Sequence, residues 1–368
     1  MPTSINDGIC EYEEKSATAN VQLEISSDAG NSSSEDCAAE TSMKNVPSEE
    51  NDKKNSYISR KPRWWKRLAG RRGTAKQRKA IGRMTQQGYV LPKLCKYQHE
   101  LNLCKIFEEA PRGKAICPNE VLVPKSKYES GTLHSNAENI AKSKRVSLEI
   151  GFGLGDNILT NATKFPDRYY IGAEIHQPGV GVALMRMEKA IDTGTYWLEQ
   201  DWLDESNLVD IEERQATRDP DCPVKPYDNL RIFPGDGIKL LGFLPDNSLD
   251  SIYLTFPDPW PDDQQHQWRV IQEETVHMIG RKLRPGGRFY LATDALSFDE
   301  WTQNIFATVH DKNMKDNGSG SDSLTRWKEL IPCPDRSLWL SAMSKYETKG
   351  IEEGRYTVCR GWECNKPP

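Results

Sequence analysis

The stretch VSLEIGFGLGDNILTNATKFP, residues 146–166, decides the fold. Its first five residues read as a buried strand, the glycines as a tight turn, and the chain from about Asp156 as a helix. Outward from it the same unit recurs. YYIGAEIHQPGVGVALMRMEKAI (169–191) is strand, loop and helix, and LRIFPGDGIKLLGFLPDNSLDSIYLTF (230–256) is a strand, a short helical turn and another strand. A helix carrying Val276, Ile279 and Leu283 follows, then a turn at RPGG (284–287) and the strand RFYLAT (288–293). Strands alternating with helices predict an α/β domain with a mostly parallel sheet flanked by helices. Ligands of such sheets bind outside the carboxyl ends of the strands, so the loops after the strands are where chemistry is expected. Two stretches read as structureless inserts, 204–228 and 312–323. There are no internal repeats.

Composition divides the rest of the chain. Residues 1–52 are rich in Asp, Glu and Ser, with only Lys15 and Lys44 opposing the acids, and residues 53–99 contain no acid at all. The first composition buries too little surface to offset chain entropy, so residues 1–55 are expected to be a disordered acidic tail. In residues 56–100 basic side chains surround Trp64 and Trp65, a pattern suited to a polyanion with stackable bases. A solvated arm or a nuclear-import signal has the same composition. The folded domain is expected over 101–368. No run of 18 apolar residues predicts a membrane span, and the first residues lack the regions of a signal peptide. Nine cysteines without a C-x-x-C pair suggest free thiols in a reducing compartment rather than a zinc site. His266, His277 and His310 have no ligand spacing, and no metal is expected. The arm suits nucleus or cytosol, and an organelle stays open.

Glu149 precedes Gly151, Gly153 and Gly155 in a G-x-G-x-G turn, not the G-x-G-x-x-G that seats a pyrophosphate. An acid here repels phosphate and favours a ligand bearing ammonium or sulfonium, although a plain strand–turn–helix junction would read alike. Glu174, ending the second strand, can accept both ribose hydroxyls, as in nicotinamide-dinucleotide folds. Asp236, followed by Gly237, is where an acid reaches an adenine amino group; it can equally be a turn aspartate.

After the fourth strand comes FPDPWP (256–261). Pro257 and Pro259 fix backbone φ on both sides of Asp258 and so aim one carboxylate at small entropic cost. FPDPWP, with EIGFGLG, IGAEIHQPGVG, LRPGGRFYLATD and the late SKYETKG, resembles the tRNA (guanine-N7-)-methyltransferase family over about 146–350, and the basic GRRGTAKQRKA echoes that family's N-terminal arm. The resemblance implies a Rossmann-like class I methyltransferase fold, a seven-stranded sheet whose last strand pair is antiparallel. It implies S-adenosylmethionine as cofactor and transfer to N7 of a guanine in the tRNA variable loop. By the family pattern Glu149, Glu174, Asp236 and Asp258 border the cofactor, with the glycines. Asp262, Asp294, Ser344, Lys345, Tyr346 and Glu347 face the substrate, and Asp258 and Glu347 carry the orienting and electrostatic catalytic roles. N7 has a free lone pair, so no base is needed, and acids near the ring favour the cationic product. Trp260 is the nearest stacking candidate for an extruded base, or else a core indole.

One departure stands out. Where the family carries Lys, Arg and His after the prolines, this chain reads DDQQHQW (262–268), and only Arg269 restores a basic side chain. Acids there repel phosphate. The arm can take over RNA binding, an accessory subunit can supply it, or the substrate or turnover differs: a methyltransferase on another RNA or purine, or a non-catalytic paralogue.

Overall fold

Val146–Ile150 is buried at every residue and forms a central strand, because a parallel strand covered on both faces needs continuous burial rather than alternation. The computed structural model describes residues 71–94, 99–109, 113–124, 145–194, 226–315 and 325–366. A helix, α1 (Ala75–Gln86), comes first, then a small antiparallel pair of β1 (His99–Leu101) and β2 (Leu122–Pro124) joined through α2 (Pro118–Val121). The main sheet follows: β3 (Val146–Ile150), α3 (Asp156–Lys164), β4 (Tyr169–Ala173), α4 (Gln177–Thr193), β5 (Leu230–Phe233), α5 (Gly237–Leu241) and β6 (Leu249–Thr255). The chain continues through α6 (Glu273–Lys282), β7 (Leu283–Thr293), α7 (Leu296–Lys315), β8 (Arg326–Glu329), α8 (Lys345–Glu352) and β9 (Val358–Asn365).

The strand order is β5-β4-β3-β6-β7-β9-β8. The first five are parallel, and β9 runs antiparallel to both β7 and β8, as expected. The chain leaves β3 in one direction through β4 and β5, then returns to place β6 on the other side. The switch point between these directions is a crevice at the carboxyl ends of β3 and β6. Two buried clusters pack the faces. Leu148, Ile252 and Phe289 meet α5, α6 and α7 on one face; Tyr170, Tyr253 and Tyr290 meet α3, α4 and Trp339 on the other.

Four boundaries differ from the sequence reading. The fold begins well before residue 101: Ala80 and Met84 of α1 are fully buried, and Tyr89, Val90 and Leu91 are nearly so. Leu91 N donates to Ile232 O at 2.8 Å and Ile232 N to Tyr89 O at 2.9 Å, so this segment covers the β5 edge. The apolar positions Ala80 and Met84, one turn apart, are hidden in a basic sequence; truncating a buried Met costs about 2–5 kcal/mol, enough to dock a short helix. RPGG lies inside β7 at a register shift rather than in a turn before it. The insert expected over 204–228 ends earlier, since Tyr227 is buried, and α7 runs into the second one. The acidic tail, residues 56–70 and 95–98 of the arm, residues 204–225 and residues 316–323 lie outside the described residues. No helix among those described is long and apolar enough to cross a membrane.

Helix α1 seats on α4 through glycine. A Cβ on Gly181 would stand 2.4 Å from the Gln77 Cβ, a separation real side chains do not reach. Gln77 also closes a capping box with Thr74 and donates from Nε2 to Pro178 O at 3.3 Å. Arg83 pairs with Glu188 at the far end. Gly181→Ala is therefore expected to separate α1 from α4 and cost about 1–3 kcal/mol by overpacking, read as a lower Tm and faster tryptic cleavage between Lys76 and Arg83. An unchanged Tm and cleavage pattern would show that α1 is not held through this contact.

Candidate active site

The turn after β3 is built on three left-handed glycines, Gly151 (φ 76°), Gly153 (φ 60°) and Gly155 (φ 91°). Side chains are strained there, and at Gly155 a Cβ would also meet Ala183 at 2.8 Å. Glu174, just past β4, holds this loop. Its Oε2 accepts from Gly153 N at 2.8 Å and its Oε1 from His176 N at 2.7 Å, tying the glycine turn to the start of α4. Burial pushes the Glu174 carboxyl up; backbone donors pull it back, and the Asp258 charge adds to the rise. Burial and then the charge of Arg71 hold the His176 imidazole below its ordinary value, which brings the N-terminal end of the arm helix up to this loop.

Glu149 is not where the sequence reading put it. Only 1% exposed, it sits under the site rather than in it. Asn157 Nδ2 donates to Oε2 at 3.1 Å and Thr255 Oγ1 to Oε1 at 3.2 Å, so the carboxyl knits α3 and β6 to β3. The residue lies within a strand whose every side chain is covered, which a motif cannot reveal. Burial, only partly offset by these two donors, pushes its pKa to about 7.

Asp236 follows β5 and caps α5, its Oδ1 accepting from Ile238 N at 2.9 Å. It acts in this structure as a turn aspartate and stands beside the glycine loop's neighbour: a Cβ on Gly237 would meet Ile150 at 2.8 Å. Asp258 is exposed after β6, in a loop whose flanking residues Phe256 (φ 49°) and Trp260 (φ 45°) are both left-handed without being glycine. Glu174 and Tyr346 both meet the Gly153 turn, and in each, after burial, the Asp258 charge pushes the pKa further up. Trp260 is 5% exposed and packs edge-on against Trp268 at 4.9 Å, a core indole rather than a platform for a base. Asp262 accepts from Gln265 within its own turn, is exposed, and does not join the crevice.

Helix α8 closes the crevice from the side. Ser344 caps it, its Oγ accepting from Glu347 N at 3.1 Å. Tyr346, on the next position but one, reaches the Gly153 loop and is 59% exposed. Lys345 points to solvent. Glu347 turns the other way and is buried, gripped by Arg336 through bonds of 2.6 and 3.0 Å and by Thr357 Oγ1 at 3.0 Å. Arg336, Glu347, Ile351, Arg355 and Tyr356 line a cavity of about 290 Å³. Asp294, at the end of β7, pairs with Arg355 at 2.8 Å and lies 3.0 Å from where a Gly350 Cβ would stand. Asp294 and Glu347 thus flank one cavity, each with an arginine. The sequence reading missed Arg336 and Arg355; Arg336 opens a short 3-10 helix (Arg336–Leu338), Arg355 lies in a loop, and partnership with a distant carboxylate leaves no local pattern. Among the described residues no group of three metal-ligating side chains occurs.

The Glu149 environment makes stability pH-dependent. Its folded pKa, about 7, lies above the ordinary 4.5, so its contribution is full below 4.5 and is lost as pH rises towards 7. Relative to Glu149→Gln, which does not titrate, the native protein is expected to lose stability between pH 4.5 and 7 and then level off. Urea denaturation of both proteins across this range checks it; a flat difference would mean the carboxyl is not perturbed.

A family model described as a putative methyltransferase matches residues 143–358. A tRNA (guanine-N(7)-)-methyltransferase of Alkalilimnicola ehrlichii is 33% identical over 208 residues, 56% of this chain and 67% of the relative. One of Pseudoalteromonas atlantica is 29% identical over 228 residues, 62% of this chain and 75% of the relative. A solved antibiotic-related methyltransferase is similar at 15% identity and a TM-score of 0.35, covering 63% of this chain and 94% of its own. The matched span runs from just before β3 to the first residue of β9, taking in the glycine turn, the proline-bracketed Asp258 and the Ser344–Glu347 cap. With that span accounted for, the chain belongs to the tRNA (guanine-N7-)-methyltransferase family, as a divergent member of it.

Proposed function

We propose that the protein transfers a methyl group from S-adenosylmethionine to N7 of a guanine in the tRNA variable loop. The observation that carries this reading is the convergence of Glu174, Asp258 and Tyr346 on the glycine turn at the switch point, beside a cavity flanked by Asp294 and Glu347. The residues fit the cofactor. Nothing lies within 4 Å of the point a Gly151 Cβ would occupy, which leaves backbone open to a ligand. Carboxylates suit its cationic end. Glu174 keeps a second lone-pair direction on each oxygen for ribose hydroxyls, and Asp236 is set to take the adenine amino group. When bound, S-adenosylmethionine supplies an electrophilic methyl on a sulfonium leaving group.

Guanine N7 would use its own lone pair for the displacement, so the chain's residues need remove no proton from N7. The chain's task is to orient and to stabilise charge. Asp258 faces the place where the two reactants meet and offsets positive charge moving onto the purine. Asp294, its charge partly balanced by Arg355, is the acid for the guanine edge, while the buried Glu347, bonded to Arg336 and Thr357, steadies that wall from behind. Tyr346 offers an exposed face next to the glycine turn for stacking. For RNA, Arg72, Lys76 and Lys79 are exposed at spacings of four and three, one stripe of α1 and its approach, while Arg83 is engaged by Glu188. This stripe supports the arm as the replacement for the lost basic cluster.

Asp258→Ala is expected to lower methyl transfer from labelled cofactor to bulk tRNA about a hundredfold or more. The protein should remain folded because Asp258 is exposed. The product nucleoside from the native protein should be 7-methylguanosine; another nucleoside, or full activity in the variant, sinks the reading. Arg72, Lys76 and Lys79 changed together to Gln should weaken RNA binding and flatten its salt slope by up to about 0.9 per lost contact, with cofactor affinity unchanged. A salt slope equal to that of the native protein would remove the stripe from the RNA surface.

A further inference from the structure

Arg269 is the one basic residue left where the family has a cluster, and it is 1% exposed. It cannot serve a phosphate from there. Its guanidinium instead reaches back under the proline loop. Nε donates to Pro259 O at 2.8 Å and Nη2 to Trp260 O at 3.2 Å, while Nη1 donates to Ser297 O at 3.1 Å and Nη2 to Ser297 Oγ at 3.4 Å. None of these acceptors is a carboxylate. The plane also lies over Trp301 at 5.2 Å and Phe298 at 5.8 Å.

The loop it grips is strained. Phe256 and Trp260 both hold positive φ without being glycine, and such residues persist only where the surroundings over-determine them. Between them stand Pro257, Asp258 and Pro259. The two prolines have no N–H to donate, which leaves the loop few amides of its own beyond Phe256 N, bonded to Ala292 O at 2.8 Å. A planar fork of donors can span two successive carbonyls and anchor them to the start of α7; a point charge cannot.

We propose that Arg269 is a positioning residue for the methyl transfer: it clamps the Pro259 and Trp260 carbonyls and so fixes the direction of the Asp258 carboxylate. This rests on the reading of Asp258 as part of the active site. The residue at this position therefore shapes the protein loop and does not contact RNA, which leaves RNA binding to surfaces elsewhere.

The test uses the full chain with Arg269→Gln and Arg269→Lys. Steady-state methylation of tRNA, its salt dependence, the melting curve and amide hydrogen exchange are measured for each. In Arg269→Gln, kcat should fall about a hundredfold, the cost expected of a displaced catalytic group. KM for tRNA and the salt slope should stay at native values, and exchange should quicken over residues 256–268 but not over the glycine turn. Arg269→Lys, which keeps the charge, should recover little of the rate. Native kcat in a folded Arg269→Gln, or full rescue by Lys, overturns the clamp, as does a salt slope smaller by about one contact. Should Gln prevent folding, the Lys variant alone decides by the same readouts. If the native protein fails to methylate tRNA, the functional reading falls, and exchange over 256–268 then judges the clamp by itself: unchanged protection overturns it.

Discussion

The Glu174 carboxylate is the contact on which the site depends. One oxygen takes the Gly153 amide and the other the His176 amide, so a single side chain fixes the left-handed turn after β3 to the residue that caps the helix after β4. Both amides sit at chain ends where no secondary structure would satisfy them, and a charged acceptor makes such bonds short and strong. Gly151 N and Gly155 N are held by Ala173 O and Phe152 O, and Glu174 adds the hold on the middle glycine, whose freedom to turn is also freedom to wander. Asp258 adds a second negative charge close enough to disfavour ionisation of Glu174. Two carboxylates held in mutual repulsion are a setting that a cation relieves, which suits a sulfonium donor and a purine that becomes positive on alkylation.

The acids at the strand tips divide by depth. Glu149 is locked beneath the floor by Asn157 and Thr255, Glu174 lies at the floor with its bonding shared, and Asp258 stands in the open on a strained loop. The deeper residues set the backbone, and the outermost is exposed where a ligand would arrive. Glu347 and Asp294 repeat the theme across the crevice with arginines as counter-charges. Carboxylates in this family member therefore do two kinds of work with one functional group, and burial sorts them.

Much of this was legible beforehand, and the exceptions share a cause. The parallel sheet, its antiparallel last pair and the placing of Glu174, Asp236 and Asp258 after successive strands follow from continuous apolar runs, glycine turns and the resemblance of the loops. What the chain hides is burial of polar groups. Glu149 reads as a cofactor ligand because a charged residue beside a glycine turn is normally exposed, and Arg269 reads only as the one basic side chain after the prolines; the partners of both come from residues that no local pattern links to them. Helix α1 was hidden for the opposite reason, because its few apolar residues were outnumbered by basic ones that only decorate its outer side. Asp262 and Trp260 were drawn into the site by neighbourhood in sequence, where a turn sends each to its own local contact.

The segment at Tyr89–Leu91 has a consequence for how copies of the protein meet. By bonding to Ile232 it occupies the outer rim of β5, and the opposite rim is the four-residue β8, which turns Arg326 and Lys328 outward. A sheet open at either side invites strand-by-strand accretion of neighbours. Here, among the described residues, one border is already taken and the other is short and cationic, so neighbouring molecules meet little open edge along which to stack into a continuous ribbon.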